Sequence, residues 1–418
     1  MTTLQLPSLR AGAISDTAPY RAGTDGYRRV MIAIFAAGMS TFVLLYDVQA
    51  LLPELRTTYD VSATHATLAL SLTTAALAVT LLVAGPLSEV VGRTRLIHVA
   101  LWSSAAVALA TAVAPTWEVL LGLRVLQGVT VAGLPAVATA YLREELHPSA
   151  QGRAFGLYIG GTALGGMAGR LVTAPVADAV GWRWGLAAAA GVALVAAALV
   201  AWLLPASRGF VPRARGAGSV LGGARAAVGD RGLVALYVLG ACGIGAHVAV
   251  LNALGFRLSA APYGLSVGAI SLVYLVYALG TVSSTVSGRV ADRIGRRATI
   301  PAGCALALGG VLLTLAGSLP LLVAGVAVMT VGFFCIHGLA SGWVTARAHL
   351  AGVSTGQAAA FYSFSYYVGS SVFGNLGSAA WSHRGWGAVV VLASTLLLTA
   401  CAMVAVLRRT PALDARVA

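Results

Sequence analysis

The 418-residue sequence contains no lysine and only four cysteines, and charged residues make up 10% of it. A water-soluble domain carries about 25% charged residues, so this chain lacks the polar surface to face water on all sides. Without lysine there is no Gly-Lys-Ser/Thr phosphate-cradling loop, which removes ATP as the expected fuel. Cys242, Cys304, Cys335 and Cys401 fall in four different apolar runs, never at metal-ligand or redox spacing, and read as small apolar helix residues. No paired carboxylates, nucleophile elbow or His-Glu-x-x-His motif is present. The expectation is therefore a protein that is not an enzyme, with no metal and no cofactor. No secretory signal peptide is visible, and residues 1–27 are too polar to insert; they read as a disordered tail.

What the chain has in quantity is apolar sequence, at 58%. A membrane-spanning helix needs about 20 mainly apolar residues. Twelve such runs are found, at 29–52, 65–88, 95–114, 117–141, 152–176, 183–204, 232–256, 265–288, 297–316, 319–343, 353–380 and 386–407. The segment 205–231, rich in Gly, Ala and Arg, separates six runs from six. The expected architecture is an all-α membrane protein of twelve transmembrane helices in two pseudo-symmetric six-helix bundles, 28–204 and 232–409, with a central linker at 205–231 and a short tail at 410–418. The lipid bilayer is its solvent, and a monomer is expected.

All 27 basic residues are Arg, and the formal net charge is +14. Binding to nucleic acid needs a clustered basic face; these Arg residues instead sit in short segments between apolar runs. Membrane loops rich in Arg stay on the cytosolic side. With both termini inside, only Arg56, Arg183, Arg257 and Arg384 face out, Arg124 and Arg170 lie within runs, and the remaining Arg are cytosolic. Both termini are therefore expected in the cytosol. Glycine is abundant, with 50 residues. The run 152–176 carries Gly156, Gly160, Gly161, Gly165, Gly166 and Gly169, and Gly369, Gly374 and Gly377 echo it in the eleventh run. Small residues let helix backbones approach in lipid; tight packing and a sliding seam are both compatible with this pattern.

Two polar knots recur, one per half. Gly85 to Arg95 reads GPLSEVVGRTR, and Gly288 to Arg297 reads GRVADRIGRR, beginning 203 positions later. These residues resemble the loop motif of the major facilitator superfamily of secondary transporters, roughly Gly-x-Leu-Ala-Asp-Arg-x-Gly-Arg-Lys/Arg. The second copy matches closely at Gly288, Asp292, Arg293, Gly295, Arg296 and Arg297. The first keeps Gly85, Leu87, Gly92 and Arg93 but has Glu89 for Asp and Val90 for Arg. The resemblance implies a cytosolic latch, in which Gly lets a helix end approach its neighbour and the carboxylate ties to Arg and to a helix end. Arg124-Val-Leu-Gln127-Gly128 resembles the family's Arg-x-x-Gln-Gly motif. Gly161-Thr-Ala-Leu-Gly165-Gly166 resembles its antiporter signature, with Thr162 in place of Pro. The segment from Tyr46 to Pro53 (YDVQALLP) is similar to the end of the first helix in drug:proton antiporters. Gly156–Leu171, Gly181–Arg183 and Pro262–Ser266 are similar to bacterial inner-membrane efflux permeases of the superfamily.

Three charges stand out well away from the starts of their apolar runs: Asp47, Arg124 and Arg170. Intramembrane ionisable residues are expensive and functional by default. At a rise of about 1.5 Å per residue, all three fall in the outer third of the membrane. One carboxylate facing two guanidiniums would form a proton switch, pairing when ionised and releasing when protonated; a static ion pair is the alternative. The leftover positive charge would suit an anionic substrate. Candidate cavity residues are Tyr46, Gln49, Gln127, His247, Asn252, Tyr274, Tyr277, His337, Tyr362 and Tyr366; Tyr362 and Tyr366 share a face at four-residue spacing. The resemblance implies a secondary transporter that exports a small molecule (drug-like, sugar or metabolite) across the bacterial inner membrane by alternating access, driven by protons. An organic-anion carrier using the intramembrane Arg residues is the alternative. A non-transporting membrane receptor or scaffold is the reading from a different class.

Overall fold

The computed structural model describes residues 19–208, 210 and 217–410. The described residues hold twelve long helices. They are α1 (Asp25–Tyr46), α2 (Ala63–Val91), α3 (Arg93–Ala112), α4 (Trp117–Glu145), α5 (Pro148–Val180), α6 (Trp182–Leu203), α7 (Arg231–Ser259), α8 (Val267–Ile294), α9 (Arg296–Leu313), α10 (Leu319–Leu350), α11 (Thr355–Arg384) and α12 (Trp386–Arg409). Two short helices, Leu52–Thr58 and Ala217–Gly229, complete the helical segments. Nine of the long helices are apolar and long enough to cross a membrane. The other three, α5, α9 and α11, have sequences diluted by Gly, Ser, Tyr or terminal Arg. For α5 and α11 that composition has a structural reason, because both pack backbone to backbone against a neighbour.

Helix ends repeat between the halves. Ser62 and Ser266 cap α2 and α8 through their side-chain oxygens. Gly92, Gly181, Gly295 and Gly385 join α2 to α3, α5 to α6, α8 to α9 and α11 to α12, each with φ between 72° and 102°. This left-handed geometry favours glycine, which lacks a Cβ. The second glycine of each loop motif is therefore a helix terminator. The first differs from expectation here: a Cβ on Gly85 or Gly288 would meet nothing within 4 Å, so neither glycine makes a close approach in this conformation.

Close approach happens along α5 and α11. A Cβ on Gly161, Gly165 or Gly169 would run into the backbone oxygen of Phe35, Met39 or Val43 of α1 in turn. On α11, Gly369 and Gly377 stand against the backbone oxygens of Ala241 and Ala249 of α7. With no hydrophobic drive between helices in lipid, this contact supplies the attraction. The halves then meet through α2 against α11 and α5 against α8.

The chain departs from the expected boundaries in three places. The first run breaks at Tyr46: Asp47–Leu51 form turns before the short helix Leu52–Thr58. Such irregular backbone is tolerated at membrane depth where it is buried in protein, and Asp47 to Leu52 are all buried. The expected linker contains the helix Ala217–Gly229. Of the expected tail, residues 1–18 lie outside the described residues, while Tyr20 is paired through its backbone with Glu145 and His147 and α1 begins at Asp25. Of the C-terminal tail, 411–418 lie outside the described residues.

Substituting Gly165→Ala should cost about 1–3 kcal/mol by overpacking and lower the melting temperature of the purified protein. Gly160→Ala, whose Cβ would meet nothing within 4 Å, should leave it unchanged. Equal melting of the two variants would contradict the α1–α5 contact.

Candidate functional site

The site lies where α1 breaks. Because α1 ends at Tyr46, the next three residues project from turns. Asp47 Oδ1 accepts a 2.9 Å hydrogen bond from Arg124 Nη1 of α4. Arg124 also donates to Ala69 O of α2 at 2.8 Å and Leu45 O at 3.5 Å. Thr173 of α5 donates to the Asp47 carbonyl. Asp47 is 1% exposed and Arg124 0%. One ion pair thus ties α1, α2 and α4 in a water-free place, where the Coulomb attraction is strong but neither charge can lose its partner cheaply.

Arg170 corrects the expected arrangement of one carboxylate between two guanidiniums. No hydrogen bond or ion pair joins it to Asp47 among the described residues. Its Nε donates to Gln49 Oε1 at 2.6 Å, and its Nη2 donates to the same oxygen. Its Nη1 donates to Gly166 O. The guanidinium lies 4.4 Å from the Tyr46 ring centroid, 4.7 Å from Tyr274 and 4.7 Å from Tyr277. The reason is local: the turn after Tyr46 sends Asp47 toward α4 and Gln49 toward α5. Desolvated cation–π contacts are worth about 2 kcal/mol, yet they bring no negative charge.

Gln49 passes the contact across the halves. Its Nε2 donates to Asn252 Oδ1 of α7 at 2.5 Å. Gln49 and Asn252 are 203 positions apart, the spacing that also separates Gly92 from Gly295. Equivalent positions of two repeats touch each other only at the pseudo-twofold axis, so this bond marks it.

The other cavity candidates divide into three groups. Tyr46, Tyr274 and Tyr277 build the Arg170 cage. His247 Nε2 lies 3.0 Å from Tyr277 Oη, and its ring stacks on Phe333 at 4.2 Å. His337, Tyr362 and Tyr366 form a second aromatic group: His337 Nδ1 is 3.0 Å from Tyr362 Oη, and Phe333 stacks on His337 at 5.8 Å. Gln127 is buried with neither amide atom partnered. Phe333, which joins the two aromatic groups, was not anticipated; its position four residues before His337 was the available signal.

Exposure shows which end of the bundle is open. On α1, Arg28 and Ile32 are exposed and Phe35, Met39 and Phe42 are half-buried, at helical spacing; everything from Val43 to Pro53 is buried. On α7, Arg231, Val234, Val238 and Ala241 trace the same pattern, and Cys242–Phe256 are all buried. A cleft of about 590 Å³ opens at this Arg-rich end, lined by Arg28, Met31, Arg153 and Gly156 among others. The opposite end is shut by bonds between the halves. Thr67 bonds Ser378, Ser371 donates to Ser71 O, and Asn375 donates to Thr64 O. Asp178 of α5 accepts from Ser266 Oγ at 2.5 Å and Gly268 N at 2.9 Å, at the start of α8.

The loop motifs sit at the open end. Arg93 pairs with Glu144 of α4 at 3.0 Å and donates to Ser88. Arg297 donates to Thr410 O, and Arg408 donates to Arg297 O. Asp292, Arg293 and Arg296 are exposed, and Asp292 has no ion pair among the described residues; Glu89 is half-buried. The expected tie from Asp292 to an Arg and a helix end is therefore absent in this conformation. Asp230 pairs with Arg347 of α10 at 2.6 Å. Burial would raise the Asp230 carboxyl, but the Arg347 guanidinium and the N–H groups of Leu233 and Gly232 outweigh it and hold it below the ordinary carboxylate range.

The Major Facilitator Superfamily model matches residues 30–359. The chain belongs to the Major Facilitator Superfamily. The transporter is 38% identical over 385 residues to the MFS-type transporter YybF of Bacillus subtilis, covering 91% of this chain and 93% of that one. It is 38% identical over 379 residues to the inner membrane transport protein YnfM of Escherichia coli, covering 90% of each. Its fold is similar to that of a bacterial homologue of the human lysosomal transporter Spinster in an inward-facing, unoccupied conformation, with TM-score 0.69, 15% identity and coverage of 92% and 95%. The nucleoside transporter NupG gives TM-score 0.72 at 13% identity, with 90% and 99% covered. The protein is thus a membrane transporter and not an enzyme.

Arg124→Ala should destabilise the protein by about 3–5 kcal/mol, because it leaves Asp47 buried and unpaired. Asp47→Asn combined with Arg124→Ala should recover part of that loss. Thermal melts of Arg124→Ala, Asp47→Asn and the double variant check the coupling, and additive losses would mean that the pair does not interact.

Proposed function

We propose that the protein is a proton-coupled antiporter that exports a small molecule, with Asp47 carrying the coupling proton and Arg124 setting its affinity. The observation that supports it best is the Asp47–Arg124 pair, 2.9 Å apart and essentially inaccessible. A carboxylate so placed has two stable conditions, ionised against Arg124 or protonated and released. Release loosens α1 from α4 and α2, helices that belong to one half, and thereby changes what that half presents at the axis. Arg170, bound to Gln49, takes no part in this proton chemistry.

The two bodies, 28–204 and 232–409, rock about the Gln49–Asn252 contact. The Arg-rich end is the cytosolic one on the charge rule, so both termini lie in the cytosol and the conformation is inward-facing. The description of the Spinster homologue as inward-facing accords with this. The open latch fits the same state: Asp292 would gain its partners when the cytosolic end closes and the contacts of Asp178 and Thr67 separate. Export across the bacterial inner membrane follows the drug:proton antiporter resemblance of Tyr46–Pro53 and the name of the relative YnfM.

In proteoliposomes carrying an internal pH dye, a panel of sugars, organic acids and lipophilic cations should include compounds that evoke proton movement through the wild type. Asp47→Asn should abolish that movement while leaving substrate exchange in place. Full coupling in Asp47→Asn would overturn the proton assignment. A complete absence of substrate-evoked flux in the wild type would favour a receptor or scaffold.

A further inference from the structure

Among the described residues, Arg170 is a buried cation without a counter-charge. It is 0% exposed, and every partner it has is neutral: Gln49, the Gly166 carbonyl and three tyrosines. Arg124, which is equally inaccessible in this half, has Asp47. The difference is not one of space, since the same turn delivers both Asp47 and Gln49. Where a second carboxylate would neutralise the site, the sequence places an amide.

The network around Arg170 is short of hydrogen-bond partners as well as of charge. Through Gln49 it reaches Asn252, whose Nδ2 is buried with no partner. Through Tyr277 it reaches His247, whose Nδ1 is likewise buried and unpartnered. An unmade bond at a buried polar atom costs about 1–3 kcal/mol. A site holding one cation, an idle amide N–H₂ and an idle imidazole nitrogen, with no acid, has the composition of an anion receptor lacking its anion. Around it stand the flat faces of Tyr46, Tyr277, His247 and Phe333.

We infer that Arg170 is the anchor of the substrate site and that the substrate is a small organic anion, a carboxylate on an aromatic body. The planar carboxylate accepts from the guanidinium in place of Gln49 Oε1, the fork geometry favouring two parallel bonds. The freed Gln49 and the amide of Asn252 become further donors at the pseudo-twofold axis. The ring of the substrate replaces one tyrosine face. The cage belongs to both halves, Tyr46 to the first and Tyr274 and Tyr277 to the second. When the halves rock, an unloaded Arg170 loses two of its three rings and is left as a bare cation. A bound carboxylate travels with it and keeps it neutral, so loading is one trigger of the movement and protonation of Asp47 the other. This deepens the antiport reading by naming a substrate class, and it rests on that reading for the movement but not for the binding.

The test is equilibrium binding to the purified full-length protein in detergent, read as a thermal shift. The probes are benzoate and 2-naphthoate, each paired with its neutral amide, and succinate as an acid without a ring. The wild type should bind the aromatic carboxylates at least ten-fold more tightly than their amides and more tightly than succinate. Arg170→Gln should remove the preference for carboxylate over amide, and Arg170→Lys should keep part of it. Gln49→Glu, which supplies the missing internal carboxylate, should lower the ratio of carboxylate to amide affinity at least ten-fold. Equal binding of acid and amide by the wild type, or no binding of any carboxylate, overturns the inference without use of a variant. So does a carboxylate preference that survives in Arg170→Gln. Proton coupling is read separately in proteoliposomes: carboxylate binding with no coupled proton flux would overturn the antiport reading and leave the site standing.

Discussion

A guanidinium taken out of water must be given something in return, and the centre of this transporter is organised around two different returns. Arg124 receives a carboxylate, Asp47, and with it a backbone carbonyl from α2. Arg170 receives an amide oxygen, a carbonyl and three aromatic faces. Both arrangements depend on α1 ending at Tyr46. A continuous helix would place Asp47 and Gln49 on opposite faces, about 200° apart around one axis; the turn instead brings both into one buried centre, Asp47 to α4 and Gln49 to α5 and α7. The break, the ion pair and the cage form one structure, and the axis contact between Gln49 and Asn252 grows from the same five residues.

The frame that holds this centre is built from absence of side chain. Glycines of α5 seat on the α1 backbone, and glycines of α11 seat on α7. The two lining helices are therefore fixed to partners within their own halves, so a half moves as a body. Between the halves the polar contacts are of another kind: hydroxyls, Asn375 and Asp178 at the end opposite the Arg-rich loops, and the Gln49–Asn252 and Arg170–Tyr277 bonds at the axis. Hydroxyl and amide bonds can be exchanged for water at little net cost, whereas a backbone seated on glycine has no such substitute. Rigid halves with a separable seam are what alternating access requires.

Much of this was legible in the residues. The helical runs and the family resemblance could be read directly, because lipid imposes a length and polarity code on each helix and the loop motif recurs at a fixed offset. Counting residues along the helices put Asp47 at the depth of both Arg124 and Arg170, and left open which of them it meets. The role of Arg170 did not. Depth can be counted from a sequence, but direction around a broken helix cannot, and the turn at Asp47–Leu51 is invisible in an uninterrupted apolar run. The motif glycines were misread for a related reason: Gly85 and Gly288 stand in open space, and Gly92 and Gly295 carry the positive φ that a sequence does not print. The copies of the motif differ in composition, and so does the centre, where Arg170 has no counterpart charge in the second half.

The claim on which the account turns is that the two halves rock about the Gln49–Asn252 axis. Spin-label distance measurement on a reconstituted background with Cys242, Cys304, Cys335 and Cys401 replaced tests it directly. One labelled pair, Gly152→Cys with Gly356→Cys, reports the Arg-rich end; the other, His65→Cys with His383→Cys, reports the opposite end. Lowering the pH should shorten the first distance and lengthen the second in the same population of molecules. Distances that stay fixed at both ends, or that move together in one direction, would contradict it.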